Sequence, residues 1–182
     1  MPLPVIYDFG DAPDPFYPTL MANKGAQHVI VSGYHLGNII DDESDGQPDQ
    51  SATGDDTADS NDDDGIVFLT DLIPGEIAGI NVTASGSGYL DAWIDFNGNG
   101  SWADAGEQVL TYLLIGPGSN MLNFNIPVTS ITGNTFARFR FSSFGGLSYD
   151  GPADDGDVED YQVEIKPEET ILPPIHLLLL DN

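Results

Sequence analysis

Leu90-Asp91-Ala92-Trp93-Ile94-Asp95-Phe96-Asn97-Gly98-Asn99-Gly100 carries two signals in one stretch. In its first half Leu90, Ala92, Ile94 and Phe96 alternate on one apolar face, the period of a half-buried β-strand. In its second half Asp95, Asn97 and Asn99 set side-chain oxygens at every second position, and Gly100 follows where a sharp turn is needed. That spacing wraps a loop around one hard cation, with positions 1, 3 and 5 as donors. An EF-hand has a bidentate Glu at position 12; here position 12 is Gly106 and Glu107 comes next. An Asn-Gly hairpin turn is the competing reading. The loop's length, with Asp104 and Glu107 inside it, favours an EF-like ion loop between strands.

The same alternation recurs on both sides. Ala78, Ile80 and Val82 oppose Asn81 and Thr83; Leu122, Phe124 and Ile126, then Ala137, Phe139 and Phe141, then Tyr161, Val163 and Ile165 repeat it. His28-Val29-Ile30-Val31 suggests a first short strand after a Pro- and Asp-rich, loop-like lead-in over residues 1–25. Ser85-Gly86-Ser87-Gly88, Gly116-Pro117-Gly118 and Gly145-Gly146 mark turns between the runs. Short alternating strands with such turns predict an all-β fold, an antiparallel β-sandwich of jelly-roll or Ig-like kind. At 182 residues one sandwich domain over 1–166 is expected, followed by a Pro-rich tail over 167–182.

Charge adds the second layer. Thirty acidic side chains face four basic ones, a formal charge of −26. Eleven acids lie between Asp41 and Asp64 and seven between Asp150 and Glu164. Such crowding strains a compact fold through self-repulsion unless cations neutralise it, and oxygen-rich loops with interleaved Gly and Asn suit calcium. The long loop over 41–65 is therefore expected to be organised by ions. Asp154-Asp155-Gly156-Asp157-Val158-Glu159-Asp160 opens the strand ending at Ile165, and its carboxylates call for ions or for Arg138 and Arg140, which share one strand face.

Several function classes drop out. A chain this acidic repels phosphate, so nucleic acid and anionic membrane surfaces are excluded as partners. The longest apolar run, Leu177 to Leu180, is too short for membrane insertion. Zero Cys removes disulfides and thiolate chemistry. Met1-Pro2-Leu3-Pro4 has neither a basic nor a long apolar segment, so no signal peptide is visible; for an exported protein the numbering is then expected to start at the mature chain. No nucleophile–base constellation stands out, which argues against an enzyme. His28, His35 and His176 show no metal spacing. Of Trp93 and Trp102, one is expected in the core and the other beside the ion loop.

Asp8-Phe9-Gly10-Asp11-Ala12-Pro13-Asp14 and Tyr17-Pro18-Thr19-Leu20 resemble the opening of the GEVED domain. Gly25-Ala26-Gln27-His28, Leu36-Gly37, Asp45-Gly46-Gln47-Pro48, Trp93-Ile94-Asp95-Phe96-Asn97 and Ala137-Arg138-Phe139-Arg140 continue the likeness, from about Tyr7 to Ile165. The naming motif stands here as Gly156-Asp157-Val158-Glu159-Asp160-Tyr161, with Asp in the place of the usual Glu. The resemblance implies an extracellular, calcium-binding β-sandwich module of bacterial or archaeal surface proteins, without catalytic activity. With the loop reading, it gives an expected set of calcium ligands: Asp8, Asp11, Asp41, Asp42, Asp45, Asp55, Asp62, Asp63, Asp64, Asp95, Asn97, Asn99, Glu107, Asp154, Asp155, Asp157, Glu159 and Asp160.

The tail departs from the rest. Pro167, Pro173 and Pro174 extend it, and Ile175, Leu177, Leu178, Leu179 and Leu180 then form a strand apolar on both faces, which belongs inside a core. Folding back onto its own sandwich is one outcome. Insertion into the next copy as a donor strand is the other, which builds a filament because head-to-tail contacts do not close. The sequence thus predicts an extracellular structural homopolymer, against a monomeric adhesin or glycan-binding module with its tail folded back. Asn81-Val82-Thr83 and Asn99-Gly100-Ser101 match glycosylation sequons; Asn81, on a polar strand face, is the better candidate.

Overall fold

The computed structural model describes residues 4–54 and 62–168. Asp55 and the tail residues Ile175, Leu177, Leu178, Leu179 and Leu180 lie outside the described residues, as does the donor-strand expectation with them. The described strands are, in chain order, β1 (Tyr7–Phe9), β2 (Gln27–Val29), β3 (Ile66–Phe68), β4 (Ile77–Ala84), β5 (Gly88–Ile94), β6 (Gln108–Ile115), β7 (Gly118–Asn125), β8 (Gly133–Ser142), β9 (Pro152–Ala153) and β10 (Asp157–Ile165), with one 3-10 turn at Met21–Asn23.

Alternation builds two antiparallel sheets, ordered β10-β8-β5-β6 and β3-β4-β7. Their facing positions are those the period-2 pattern marks: Ile80 and Val82 of β4, Leu90 and Ile94 of β5, Phe139 and Phe141 of β8 and Ile165 of β10 are buried in one cluster. Each such side chain taken out of water contributes about 1.5–3 kcal/mol. Sheets related in this way make a β-sandwich, as expected.

Two strands escape the period-2 reading. On β6, Leu113-Leu114-Ile115 is continuously apolar, and the pairing with β5 is irregular at Leu90 and Ala92. Tyr112 there adopts φ 50° and donates its N–H to Asp91 Oδ1 at 2.8 Å. Such an irregularity shifts the face that later residues present and hides the alternation. β3 is only three residues long and signals little by itself.

The lead-in is not all loop. β1 pairs antiparallel with β2, which pairs parallel with β9. This small sheet covers the outer face of β8 and β10, where Arg140 Nε donates to His28 Nε2 at 2.9 Å. Both Trp side chains are buried on that outer side, in a cluster with Ala12 and Tyr17 rather than in the central core. Trp93 takes the outward phase of β5, because Ala92 and Ile94 take the inward one. Trp102 lies against Tyr17 with ring centroids 4.5 Å apart, and Arg138 stands 4.6 Å over its ring.

Candidate metal centre

β10 starts where Gly156, at φ 101°, turns the chain; a Cβ there would meet the Phe141 carbonyl oxygen at 1.8 Å. The register with β8 then sorts the carboxylates by face. Asp157 and Glu159 pair with Phe141 and Phe139 and point inward, whereas Asp160 pairs with Arg138 on the outer face. All three carboxylates are buried.

Asp160 has a cation built in. Arg138 Nε and Nη2 donate to its two oxygens at 2.7 and 2.6 Å, a bidentate pair, and the N–H groups of Asp11 and Ala12 donate to Oδ2 at 3.0 and 2.9 Å. Arg138 also donates to the carbonyls of Pro18 and Tyr149. The expected pairing of Arg138 with the acidic strand start is thus present. Arg140 instead serves carbonyls of residues 148–151 and His28. Burial, then Arg138, lowers its pKa to about 9. Burial likewise holds the His28 imidazole well below its ordinary range.

The inward carboxylates meet other acids. One oxygen each of Asp8, Glu43 and Asp62 lies within 4.8 Å of the other two. Asp8 Oδ2 accepts the Val158 N–H at 2.7 Å, and Asp63 Oδ1 accepts that of Asp160 at 3.1 Å, so acids cap the free edge of β10. Asp157 Oδ2 accepts the Leu36 N–H at 2.6 Å; Glu159 accepts from the Gly65 N–H and from the Tyr161 hydroxyl. Glu43 Oε2 accepts the Phe9 N–H at 3.0 Å. All four Lys and Arg residues are described, yet the ion pairs among the described residues are Arg138–Asp160 and Lys166–Asp71, both away from this cluster.

Electrostatics follow from that crowding. Burial first, then Asp157, Glu43 and Asp62, raises the Asp8 carboxyl well above its usual range. Burial followed by Asp41 pushes Glu43 up to about 10. Burial also brings Asp157 to about 8, and with Asp157 beside it raises Glu159. Arg140 and Asp8 feel one another's charge but are not among the ion pairs of the described residues, and carboxylates crowded in this way share protons or hold a cation. An all-oxygen donor set of this kind fits a hard divalent ion such as calcium.

The structure brings Asp8, Asp41, Asp62, Asp157 and Glu159 into this region, with Asp63 on the β10 edge. It directs other expected ligands elsewhere. Asp45 Oδ1 accepts the Met21 and Gly46 N–H groups, and Asp64 binds the backbone and side chain of Asn38. Asp155 accepts from Ser143, and Asp42 and Asp154 are exposed. Asp11 Oδ2 accepts the Gly54 N–H at 2.8 Å. Glu43 is missing from the expected set: it sits in the Asp41–Asp64 run, but only its bridge to Tyr7 distinguishes it from its neighbours.

Asp95, Asn97, Asn99 and Glu107 form a separate group at the β5–β6 connection. Asp95 accepts the N–H groups of Gly98 and Gly100 and the Tyr17 hydroxyl, at 2.7, 2.9 and 2.7 Å. Tyr17, 78 residues away in sequence, is a partner the sequence did not disclose. Asn81 is half-buried on β4 and accepts from the Ser119 hydroxyl.

No described helix is long and apolar enough to cross a membrane. No curated protein and no solved structure matches the chain. A family model does match: that of the GEVED domain covers residues 89–164, from β5 into β10, and takes in Gly156-Asp157-Val158-Glu159-Asp160-Tyr161, in agreement with the resemblance those motifs carry.

Proposed function

We propose that this chain is a non-catalytic, calcium-stabilised structural protein of the prokaryotic cell exterior, which polymerises through its C-terminal segment. The observation that carries the calcium reading is the convergence of Asp8, Glu43 and Asp62 to within 4.8 Å beside buried Asp157. An ion there would offset mutual repulsion and tie the first strand to the last. Calcium binding to the folded state alone adds about 2.7 kcal/mol at a hundred times the dissociation constant. Calorimetric melting with calcium and with chelator tests it: a clear downward shift on chelation is expected, and coincident curves refute the centre.

Assembly rests on the apolar tail and on a groove it could enter. Phe68 and Leu72 face Val163 and Lys166 across a cavity of about 210 Å³ between the β3 and β10 edges. A donor strand from a neighbouring copy would extend the sheet and cover Phe68, Leu72 and Val163, which lie among the polar Thr70, Asp71, Gln162 and Glu164. Negative-stain microscopy of the full chain, beside a version ending at Lys166, separates the outcomes. Filaments from the full chain alone are expected; filaments from both or from neither remove the tail's role.

An adhesin reading draws on a pocket of about 270 Å³ lined by Trp93, Trp102 and Tyr149. Its two indoles are buried and present little ring face for stacking on a sugar. Glycan-array binding lost in Trp102→Ala, without any assembly, would favour it over the structural role.

A further inference from the structure

We infer that the β5–β6 loop is a second divalent-cation site, built independently of the Asp8 centre, with Asp95 and Glu107 as its anionic ligands and Asn97, Asn99 and Asp104 completing an oxygen shell. The observation that points to a ligand is Glu107. The residue is 3% exposed, and its buried Oε1 has no hydrogen bond of ordinary length; among donors besides Asp104, only the Asn97 backbone N–H bears weakly on the carboxylate. A buried carboxylate oxygen left unsatisfied is costly and rare in a folded protein.

The carboxylate belongs to a prepared loop. Glu107 Oε2 receives the Asp104 N–H at 3.3 Å, which ties the Glu to the loop, and Asp95 is the charge that acts on it most strongly. Asp95 itself is fully buried, held from below by Tyr17 and from the loop side by the Gly98, Asn99 and Gly100 N–H groups. Gly98 and Gly100 take φ 66° and 83°, the left-handed turns that fold the loop over Asp95. Asn97 Nδ2 and Asn99 Nδ2 both donate to Asp104 Oδ2, at 3.1 and 2.6 Å. Those amides therefore hold three oxygen-bearing side chains at one rim of the loop. Side-chain and carboxylate oxygens alone, two of them from buried acids, select a hard ion such as calcium over a thiophilic or imidazole-seeking metal.

Bound there, the ion would hold Asp95 and Glu107 together and so fix the start of β6 against the end of β5. Through the Tyr17 hydroxyl it would also steady the segment joining β1 to β2.

Terbium titration of the full chain, read by emission sensitised from the aromatic residues Tyr17 and Trp102 beside the loop, tests the site. Calcium chloride titration calorimetry on the same samples counts ions. Saturable terbium emission displaced by calcium is expected, with Glu107→Gln weakening it roughly tenfold or more through loss of one ligand charge. Asp8→Asn should leave that emission intact while removing a different calorimetric site. Emission unchanged in a folded Glu107→Gln overturns the second site; calcium binding lost only in Asp8→Asn then leaves the first centre standing. Should Glu107→Gln not fold, Asn99→Ala, at an exposed position, decides the matter: weakened emission supports the site and unchanged emission overturns it.

Discussion

Asp160 and Asp157 lie three residues apart on β10, both buried, and their solutions to burial are opposite. Asp160 faces outward and meets a guanidinium from the neighbouring strand, so its charge is neutralised within the chain. Asp157 faces inward, where Glu159, Asp8 and Asp62 add negative charge and the described chain supplies no ion pair. One carboxylate carries its counter-ion in the sequence; on the proposed reading the other takes a cation from the solvent, and without one it keeps a proton. Under that proposal fold stability is partly encoded and partly borrowed from the surroundings.

The largest test removes the internal counter-ion. Arg138→Met should destabilise by about 3–5 kcal/mol, because Asp160 stays buried without its cation; urea unfolding measures this, and a loss below about 1 kcal/mol would show that the backbone donors from Asp11 and Ala12 suffice. The matching removal on the other face is chelation. Loss of calcium at a hundred times its dissociation constant should lower stability by about 2.7 kcal/mol, a melting shift of roughly 5–10 °C for a domain this size. Arg138→Met with calcium and wild type without it should each fall, by separate routes that add.

Protons can stand in for the ion, and that reverses the pH response. Asp157 is raised to about 8 and Glu43 to about 10, so the ion-free folded state keeps protons that the unfolded state has lost. Without calcium, stability should be full below the ordinary carboxylate range near 4 and decline as pH rises towards 8, by roughly 1 kcal/mol per pH unit for a fully buried group such as Asp157. With calcium the slope should change sign, since acid then displaces the ion. Melting temperatures from pH 5 to 8 in both states check it, and parallel slopes would refute the cluster as an ion site. Glu43→Gln should act in the same sense but less strongly, stabilising the chelated protein by about 1 kcal/mol while reducing its gain from calcium. Smallest of all is the exposed pair: Lys166→Ala, which breaks the contact with Asp71, should change stability by about 0–1 kcal/mol.

The sandwich was legible wherever one strand face was apolar and regular. Leu90, Ala92 and Ile94, like Ala137, Phe139 and Phe141, sit in the core as their spacing requires. β6 was hidden because an irregularity at Tyr112 and Asp91 breaks the phase on which such reading depends. Of the N-terminal sheet the sequence signalled only β2, at His28 and Val29; its pairing stayed hidden because Gln27 and His28 meet Pro152 and Ala153, and no local pattern records a partner more than a hundred residues away. Acid clustering marked Asp62, Asp157 and Glu159, and the family resemblance marked Asp8, but neither could rank them. The strand phase that turns Asp157 inward and Asp160 towards Arg138 distinguishes them, and Glu43 joins only through a long-range bridge.

The contacts closing β10 have a consequence for the order in which the molecule forms. Val158 meets Asp8 across 150 residues, and Asp160 meets Asp11 and Ala12 across 149 and 148. Non-local pairings of this length slow folding, because the loop between them must close before any contact rewards it. A chain emerging amino end first could pair β1 with β2 early, but its Asp8 carboxylate and its Asp11 and Ala12 N–H groups would lack their β10 partners until that strand arrives. Maturation would then be timed by the arrival of β10, and refolding rates should respond to calcium only at that closing step.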